Sequence, residues 1–270
     1  MKRMTKLQVF GIALAGAYAG MKVLASATKE KELIDDDNPY LAASAVRSDL
    51  KSRENVYERA IKPKLDCVLS FFGMIALLPV YAVTAAAVYL DDPGPVFFSQ
   101  KRIGKDKHYF MLHKFRTMKM DTPHDMPTHL LEDPEQYITR VGRFIRKYSI
   151  DELPQLWDCF RQKISLIGPR PALWNQDDLI EERDQYGAND ICPGLTGWAQ
   201  INGRDELEIA DKARLDGEYV SALKAGGWKA FFMDIRCFFG TFAGVVRHEG
   251  VVEGGTRELY KREKVGAVVK

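Results

Sequence analysis

Three dense hydrophobic blocks stand out from an otherwise mixed pattern of apolar and polar positions along this chain. The longest, Val68 to Leu90, runs for 23 positions without a charge. As one straight helix it would measure about 34 Å, enough to cross a bilayer. Pro79 stands near its middle, where the missing backbone donor kinks a helix. Arg53, Arg59, Lys62 and Lys64 precede it, and a run of lysines and arginines follows it. Lys and Arg mark the cytoplasmic side, so both flanks ask for the same side. A helix that enters, bends at Leu78-Pro79 and returns satisfies both flanks, whereas a full span satisfies the length. The pattern puts the re-entrant reading slightly ahead.

The block Leu7 to Ala27 is rich in Ala and Gly, opens after Lys2, Arg3 and Lys6, and is broken by Lys22. Ala25-Ser26-Ala27 has the form of a signal-peptide cleavage site, while Gly16-x-x-x-Gly20 offers a helix-contact face. An uncleaved anchor or interfacial helix is the preferred reading. The third block has apolar residues at 228, 231, 232, 235, 238, 239, 242, 245 and 246, a helical period carrying a tryptophan and five phenylalanines on one stripe. It reads either as a core-facing helix or as an interfacial helix in a headgroup layer.

Between these blocks the pattern is that of a mixed domain. Lys29 to Lys64 is a polar linker with some helix, broken at Asp35-Asp36-Asp37-Asn38-Pro39. Asp91-Asp-Pro-Gly-Pro95 signals a turn. Val96–Phe98 and His108–Leu112 predict a β-hairpin around Gly104. Positions 121–135, with three prolines, read as a loop or lid. Tyr137 to Lys163 reads as helix in two pieces meeting at Ser149, and Leu173–Tyr186 and Glu206–Ala225 as charged surface helices.

Charge changes this picture only locally. A net +2 gives no bulk attraction for nucleic acid. Lys101, Arg102, Lys105, Lys107, Lys114, Arg116 and Lys119, however, fall within twenty positions and are opposed only by Asp106. Such a cluster reads as a solvated face or, next to a membrane segment, as a site for anionic headgroups or phosphorylated substrates. Four cysteines at 67, 159, 192 and 237 show no metal-ligand or disulfide spacing, which fits a reducing compartment.

Candidate chemistry concentrates between Arg146 and Pro171. Ser149-Ile-Asp-Glu152 has the form of a capping box, which would make Glu152 structural and Asp151 a first-turn acid. The functional reading divides the labour of the two acids. Neighbouring side chains diverge by about 100° around a helix, so one carboxylate can attack phosphorus while the other holds Mg²⁺. Arg146 is a permanent cation suited to bidentate phosphate binding. Arg170 is held between Pro169 and Pro171, which limits the entropy lost on ordering.

Five motifs occur in order: Phe98-x-Gln100-x-Arg102-x-Gly104, Lys114-Phe-Arg-Thr-Met118, Asp151-Glu-Leu-Pro-Gln155, Ser165-Leu-Ile-Gly-Pro-Arg-Pro171 and Pro193-Gly-Leu-Thr-Gly-Trp-Ala-Gln-Ile-Asn-Gly-Arg204. Over about residues 60–248 the chain resembles the bacterial sugar transferases of the monotopic polyprenyl-phosphate phosphoglycosyl transferase family. The resemblance implies an α+β, mostly helical fold with a Pro-kinked re-entrant helix, a small β-hairpin and amphipathic interfacial helices. Its parts would be an N-terminal segment and linker (1–60), the re-entrant helix (61–92), a catalytic domain (93–250) and a tail (251–270). It implies transfer of a sugar-1-phosphate from a UDP-sugar to undecaprenyl phosphate, releasing UMP, at the cytoplasmic face of the bacterial inner membrane. Such a reaction would begin exopolysaccharide, capsule, O-antigen or glycoconjugate synthesis.

In that scheme Asp151 is the nucleophile, Glu152 ligates Mg²⁺, and Arg146 binds the polyprenyl phosphate. Lys114, Arg116 and Arg170 line the phosphate region, and Pro193–Arg204, with Arg204 as a binding residue, shapes the uridine and sugar side. The scheme involves membrane lipid, no nucleic acid, and admits a homodimer. Two departures stand out. Many members bend the membrane helix at Ser-Pro where this chain has Leu78-Pro79, and residues 1–60 are extra relative to the smallest members. The alternative is a non-catalytic membrane scaffold that binds phosphoanions in a polysaccharide assembly complex.

Overall fold

A computed structural model of the chain describes residues 35, 38–41, 54–122, 134–203 and 207–247. The Leu7–Ala27 block, most of the 121–135 loop, Arg204 and the 251–270 tail lie outside the described residues. A π-helical turn, Tyr57–Ile61, runs into helix α1 (Lys62–Ala76), and α2 (Leu78–Asp91) follows after a single residue. The two segments are bent by 63°. Pro79, in the first turn of α2, has no N–H to give and its ring would collide with the Ile75 carbonyl in a straight helix. The break falls at Leu77 (φ −91°, ψ 4°), one residue ahead of the expected Leu78-Pro79 pair. Leu77 donates to the Gly73 carbonyl (3.0 Å) and accepts from Tyr81 N–H (2.9 Å), so both halves keep their ladders across the bend. Among the described residues no single helix is long and apolar enough to cross a membrane, but this bent pair together has the length and composition to do so.

Helix α1 is inverted relative to a soluble amphipathic helix. Its buried positions are Lys62, Asp66 and Ser70, whereas Leu65, Val68, Leu69, Phe72 and Ile75 are exposed.

Strands β1 (Phe97–Ile103) and β2 (Tyr109–Phe115) form the expected hairpin, with ends pairing Phe97 to Phe115 and Ile103 to Tyr109. Both strands run longer than the apolar runs alone suggest, because polar residues continue the ladder. Next come α3 (Arg140–Lys147), a 3₁₀ turn (Ile150–Glu152), α4 (Gln155–Phe160), β3 (Ser165–Ile167), α5 (Asp177–Asp184), β4 (Gly194–Thr196) and the short α6 (Trp198–Ile201). Sequence reading missed the β3–β4 pair, which is parallel. Its backbones approach so closely that a Cβ on Gly194 would lie 2.1 Å from the Gly168 nitrogen, and one on Gly197 2.1 Å from the Gly168 oxygen. Two of the glycine motifs are therefore two sides of one contact.

Helices α7 (Ile209–Ala225) and α8 (Gly227–Arg247) close the main core, in which Tyr57, Ile167, Ile191, Tyr219, Leu223 and Cys237 are packed. Among the aromatics of α8, Phe231 packs against that core, edge-on to Tyr57, and the others stay outside it. Ala230, Asp234 and Cys237 face inward, while Trp228, Phe232, Phe238, Phe239 and Phe242 are exposed. Of the two readings of the third block, core packing holds for Phe231 but not for the five exposed aromatics. Inside, Asp234 accepts from Lys62 Nζ (2.7 Å), Tyr57 Oη (2.8 Å) and Tyr219 Oη (2.7 Å), and Ser165 Oγ donates to Asp66 (2.5 Å). This polar network ties α1 to α8 and to β3.

The basic cluster of 101–119 is largely internal rather than a solvated face. Lys107 is buried against Asp184 (2.5 Å), Lys105 pairs with Glu54, and Lys101 lies over the rings of Tyr109 (4.0 Å) and Trp174 (4.8 Å). Glu54, Trp174 and Asp184 are all distant in sequence, so a local charge count overstates the field the cluster projects.

Candidate active site

Helix α3 begins at Thr139, whose Oγ1 accepts from Gly142 N–H (2.8 Å). Gly142 lets the helix sit against the end of the hairpin, since a Cβ there would lie 2.1 Å from the Thr117 carbonyl oxygen. The chain then reverses at Ser149, a left-handed residue (φ 53°, ψ 24°) whose side chain makes no cap. The capping box suggested by the sequence does not form. The reversal instead directs the Ile150–Glu152 turn toward β2 and the loop after β3.

Glu152 meets Arg170 there. Arg170 Nη1 donates to Oε2 (3.1 Å), Nη2 donates to Oε1, and Lys114 Nζ reaches Oε1 from β2 at 3.3 Å. Arg170 is held from behind, because its carbonyl accepts from Arg183 Nη1 (2.9 Å), and Arg183 is itself bound to the buried Asp216. Asp151 is only 8% exposed. Burial first and Glu152 second push its carboxyl up to about 6, while Lys114, Arg146 and Arg170 pull the other way. Burial likewise pushes Lys114 down, opposed by Glu152. On α3, Arg146 donates through Nε to Thr117 Oγ1 (2.8 Å), and Asp151 offsets the burial that lowers its pKa.

The structure thus gathers Asp151, Glu152, Lys114, Arg146 and Arg170 around one turn. It does not place Arg116 with them. Arg116 is buried against Asp92 at the end of α2, with Nη1 donating to Oδ2 at 2.5 Å and Nη2 to the Asp92 carbonyl. It anchors the hairpin to the end of α2, because the residue that follows the helix brings a carboxylate to it first. Arg102 was not singled out from the sequence, although it stands in the first motif. Its Nη1 donates to the Pro171 carbonyl (2.9 Å) and its Nη2 to Gln100 (2.7 Å), and Arg170 and Glu152 both act on its charge. Thr117 was also missed, since a hydroxyl in a basic motif carries no obvious sign of its role.

The turn separates two cavities. One, of about 950 Å³, is lined by Glu152, Thr196, Gln200, Asn202, Leu77 and Phe238. The other, of about 570 Å³, lies between α2 and α3 and includes Ile150. Trp198 of the last motif is buried and donates to Glu218 (2.8 Å), so its role is structural, whereas Gln200 and Asn202 reach the larger cavity.

As for a metal, two adjacent carboxylates are hard oxygen donors of the kind Mg²⁺ uses together with substrate phosphates. No group of three or more His, Cys, Asp or Glu exists among the described residues to form an all-protein cage. The donor set fits an ion shared with substrate.

The profile of the bacterial sugar transferases matches residues 57–248. The chain belongs to that family. Among its bacterial sugar transferase relatives, an uncharacterized sugar transferase, EpsL, of Bacillus subtilis (strain 168) is 39% identical over 71% of this chain and 90% of its own length. The undecaprenyl-phosphate glucose phosphotransferase of Komagataeibacter xylinus is 38% identical over 66% of this chain, and the UDP-glucose:undecaprenyl-phosphate glucose-1-phosphate transferase of Escherichia coli (strain K12) is 36% identical over 70%. The matches to these two span 34% and 41% of their lengths. The family assignment makes the chain a phosphoglycosyl transferase of the polyprenyl-phosphate class, and the matched region contains every residue gathered around the turn.

Proposed function

We propose that this enzyme transfers a sugar-1-phosphate from a UDP-sugar to undecaprenyl phosphate in two displacements. The observation that carries the reading is Asp151, a buried carboxylate next to Glu152 with Lys114, Arg146 and Arg170 acting on it. In the first step an Asp151 oxygen attacks the β-phosphorus of the UDP-sugar. An acyl-phosphate bond forms, the bond from that phosphorus to the bridging oxygen breaks, and UMP leaves with the bridging oxygen. In the second step an oxygen of undecaprenyl phosphate attacks the same phosphorus, and the Asp151 carboxylate departs unchanged. Arg170 and Lys114 bear on the phosphoryl oxygens, and Arg146 on the lipid phosphate. Glu152 would hold Mg²⁺, which when bound would polarise phosphoryl oxygens and offset their charge.

The same reading is monotopic. The bent α1–α2 pair would dip into the cytoplasmic leaflet of the inner membrane, and the exposed aromatic stripe of α8 would lie in its headgroup layer. An apolar surface of this extent on a soluble monomer would be unusual.

The test is UMP release by detergent-solubilised protein given UDP-sugars and Mg²⁺. Wild-type protein releases a stoichiometric burst without acceptor, and mass spectrometry finds a phosphosugar on the Asp151 peptide. Asp151→Asn abolishes both. UDP as the product, or turnover with Asp151 never modified, rejects the mechanism.

A further inference from the structure

The smaller cavity belongs to no residue assigned a chemical role above. Its floor is the exposed face of α2 at Val80, Val83 and Ala87, and its wall is Val141, Phe144 and Ile145 of α3. Val83 is 70% and Phe144 57% exposed, so the groove lacks a protein cover among the described residues. It starts at Pro79, beside the bend of the membrane pair, and reaches Ile150, the residue before Asp151. Its volume of about 570 Å³ is that of a small-molecule site.

The two cavities differ in chemistry. The larger one also has apolar walls, but it carries Glu152 together with amide and hydroxyl groups that can bind a polar substrate. In the smaller one Arg140 is the sole charged lining residue and Thr84 the sole neutral polar one. Helix α3 presents two faces to this region: Val141, Phe144 and Ile145 to the groove, and the cations Arg143, Arg146 and Lys147 elsewhere. Arg146 is fixed by Thr117 and acts on Asp151. A molecule complementary to this arrangement has a long apolar chain ending in a phosphate.

Resting on the function proposed above, we infer that the α2–α3 groove receives the first isoprene units of the polyprenyl phosphate acceptor, guiding its phosphate past Ile150 to Asp151. The donor then occupies the opposite cavity, and the two substrates approach the turn from different sides. Membrane phospholipid is the competing occupant, since it too joins an apolar chain to a phosphate.

A polyprenyl phosphate bearing a diazirine near its phosphate tests the assignment with the full chain in phospholipid nanodiscs. The probe labels α2 and α3 peptides, and unlabelled undecaprenyl phosphate displaces it at concentrations where added phosphatidylglycerol does not. Val83→Trp, confirmed to melt like wild type, raises the acceptor KM about tenfold by occupying the groove. Phe144→Ala provides a second variant that alters the wall without filling it, and it raises the same KM. Labelling confined to other peptides, equal displacement by phosphatidylglycerol, or an unchanged acceptor KM in both variants overturns the assignment. A wild-type protein that gives no UMP burst overturns the underlying reaction instead, so the two failures are distinguishable.

Discussion

Arg170 and Glu152 meet through both terminal guanidinium nitrogens and both carboxylate oxygens. The contact is planar and two-pronged, which only arginine supplies. Arg170→Lys keeps the charge but loses the fork, and is expected to lower kcat by about ten- to a hundredfold with little change in melting temperature. Steady-state UMP release alongside thermal unfolding checks this. An equal loss of activity and stability would mean that the pair only holds the loop.

In the proposed mechanism the Asp151 carboxyl, pushed up to about 6, must be ionised to attack phosphorus. The first-step rate should therefore fall as pH drops through about 6. Glu152 contributes to the upward shift and Lys114 opposes it, so their removal acts in opposite directions. In Glu152→Gln the Asp151 titration moves to lower pH, and in Lys114→Met it moves to higher pH. The infrared carboxyl band of Asp151, assigned by its loss in Asp151→Asn, follows this even in inactive variants.

Gly194 has no room for a methyl group, because the Gly168 backbone occupies the space. Gly194→Ala should destabilise the protein by about 2–3 kcal/mol and displace the loop that carries Arg170. Chemical denaturation in detergent measures the first effect, and kcat the second.

Lys62 and Asp234 form a buried pair between α1 and α8. Removing the carboxylate alone in Asp234→Leu leaves the ammonium only the more distant Asp66, at 3.9 Å, and is expected to cost up to roughly 3–5 kcal/mol. The double change Lys62→Met with Asp234→Leu should recover part of that loss. Thermal unfolding of the three variants tests the coupling, and strictly additive losses would exclude it.

The bend at Leu77 puts Arg59 and Asp91 on one side of the membrane if the pair is re-entrant. In a cysteine-free background, Arg59→Cys and Asp91→Cys should both react with an impermeant maleimide in inverted inner-membrane vesicles, and neither in intact spheroplasts. Reaction from opposite sides would mean a full span.

Short-range signals were readable from the residues. The hairpin, the two-piece helix around Ser149 and α8 followed from turn residues and period, and Pro79 announced the bend to within a residue. What stayed hidden depends on partners far along the chain. The three-residue strands β3 and β4 carry no alternation to read, and their glycines look like flexible loop until the facing backbone is known. Arg116 looked like its neighbour Lys114, yet Asp92 captures it. The stripe of α8 was visible, but its direction was decided by three inward residues, Ala230, Asp234 and Cys237, that a hydrophobicity count ranks low.

The inverted faces of α1 and α8 have a practical corollary for engineering. The interior is stitched by Lys62, Asp66, Ser70, Asp234 and small residues, none of which sits in the greasy rows outside. Repainting those outer rows with glutamate and lysine would leave the stitching intact. On the proposed membrane placement, redesigning only that coat should yield a catalytic body that stays in solution without detergent.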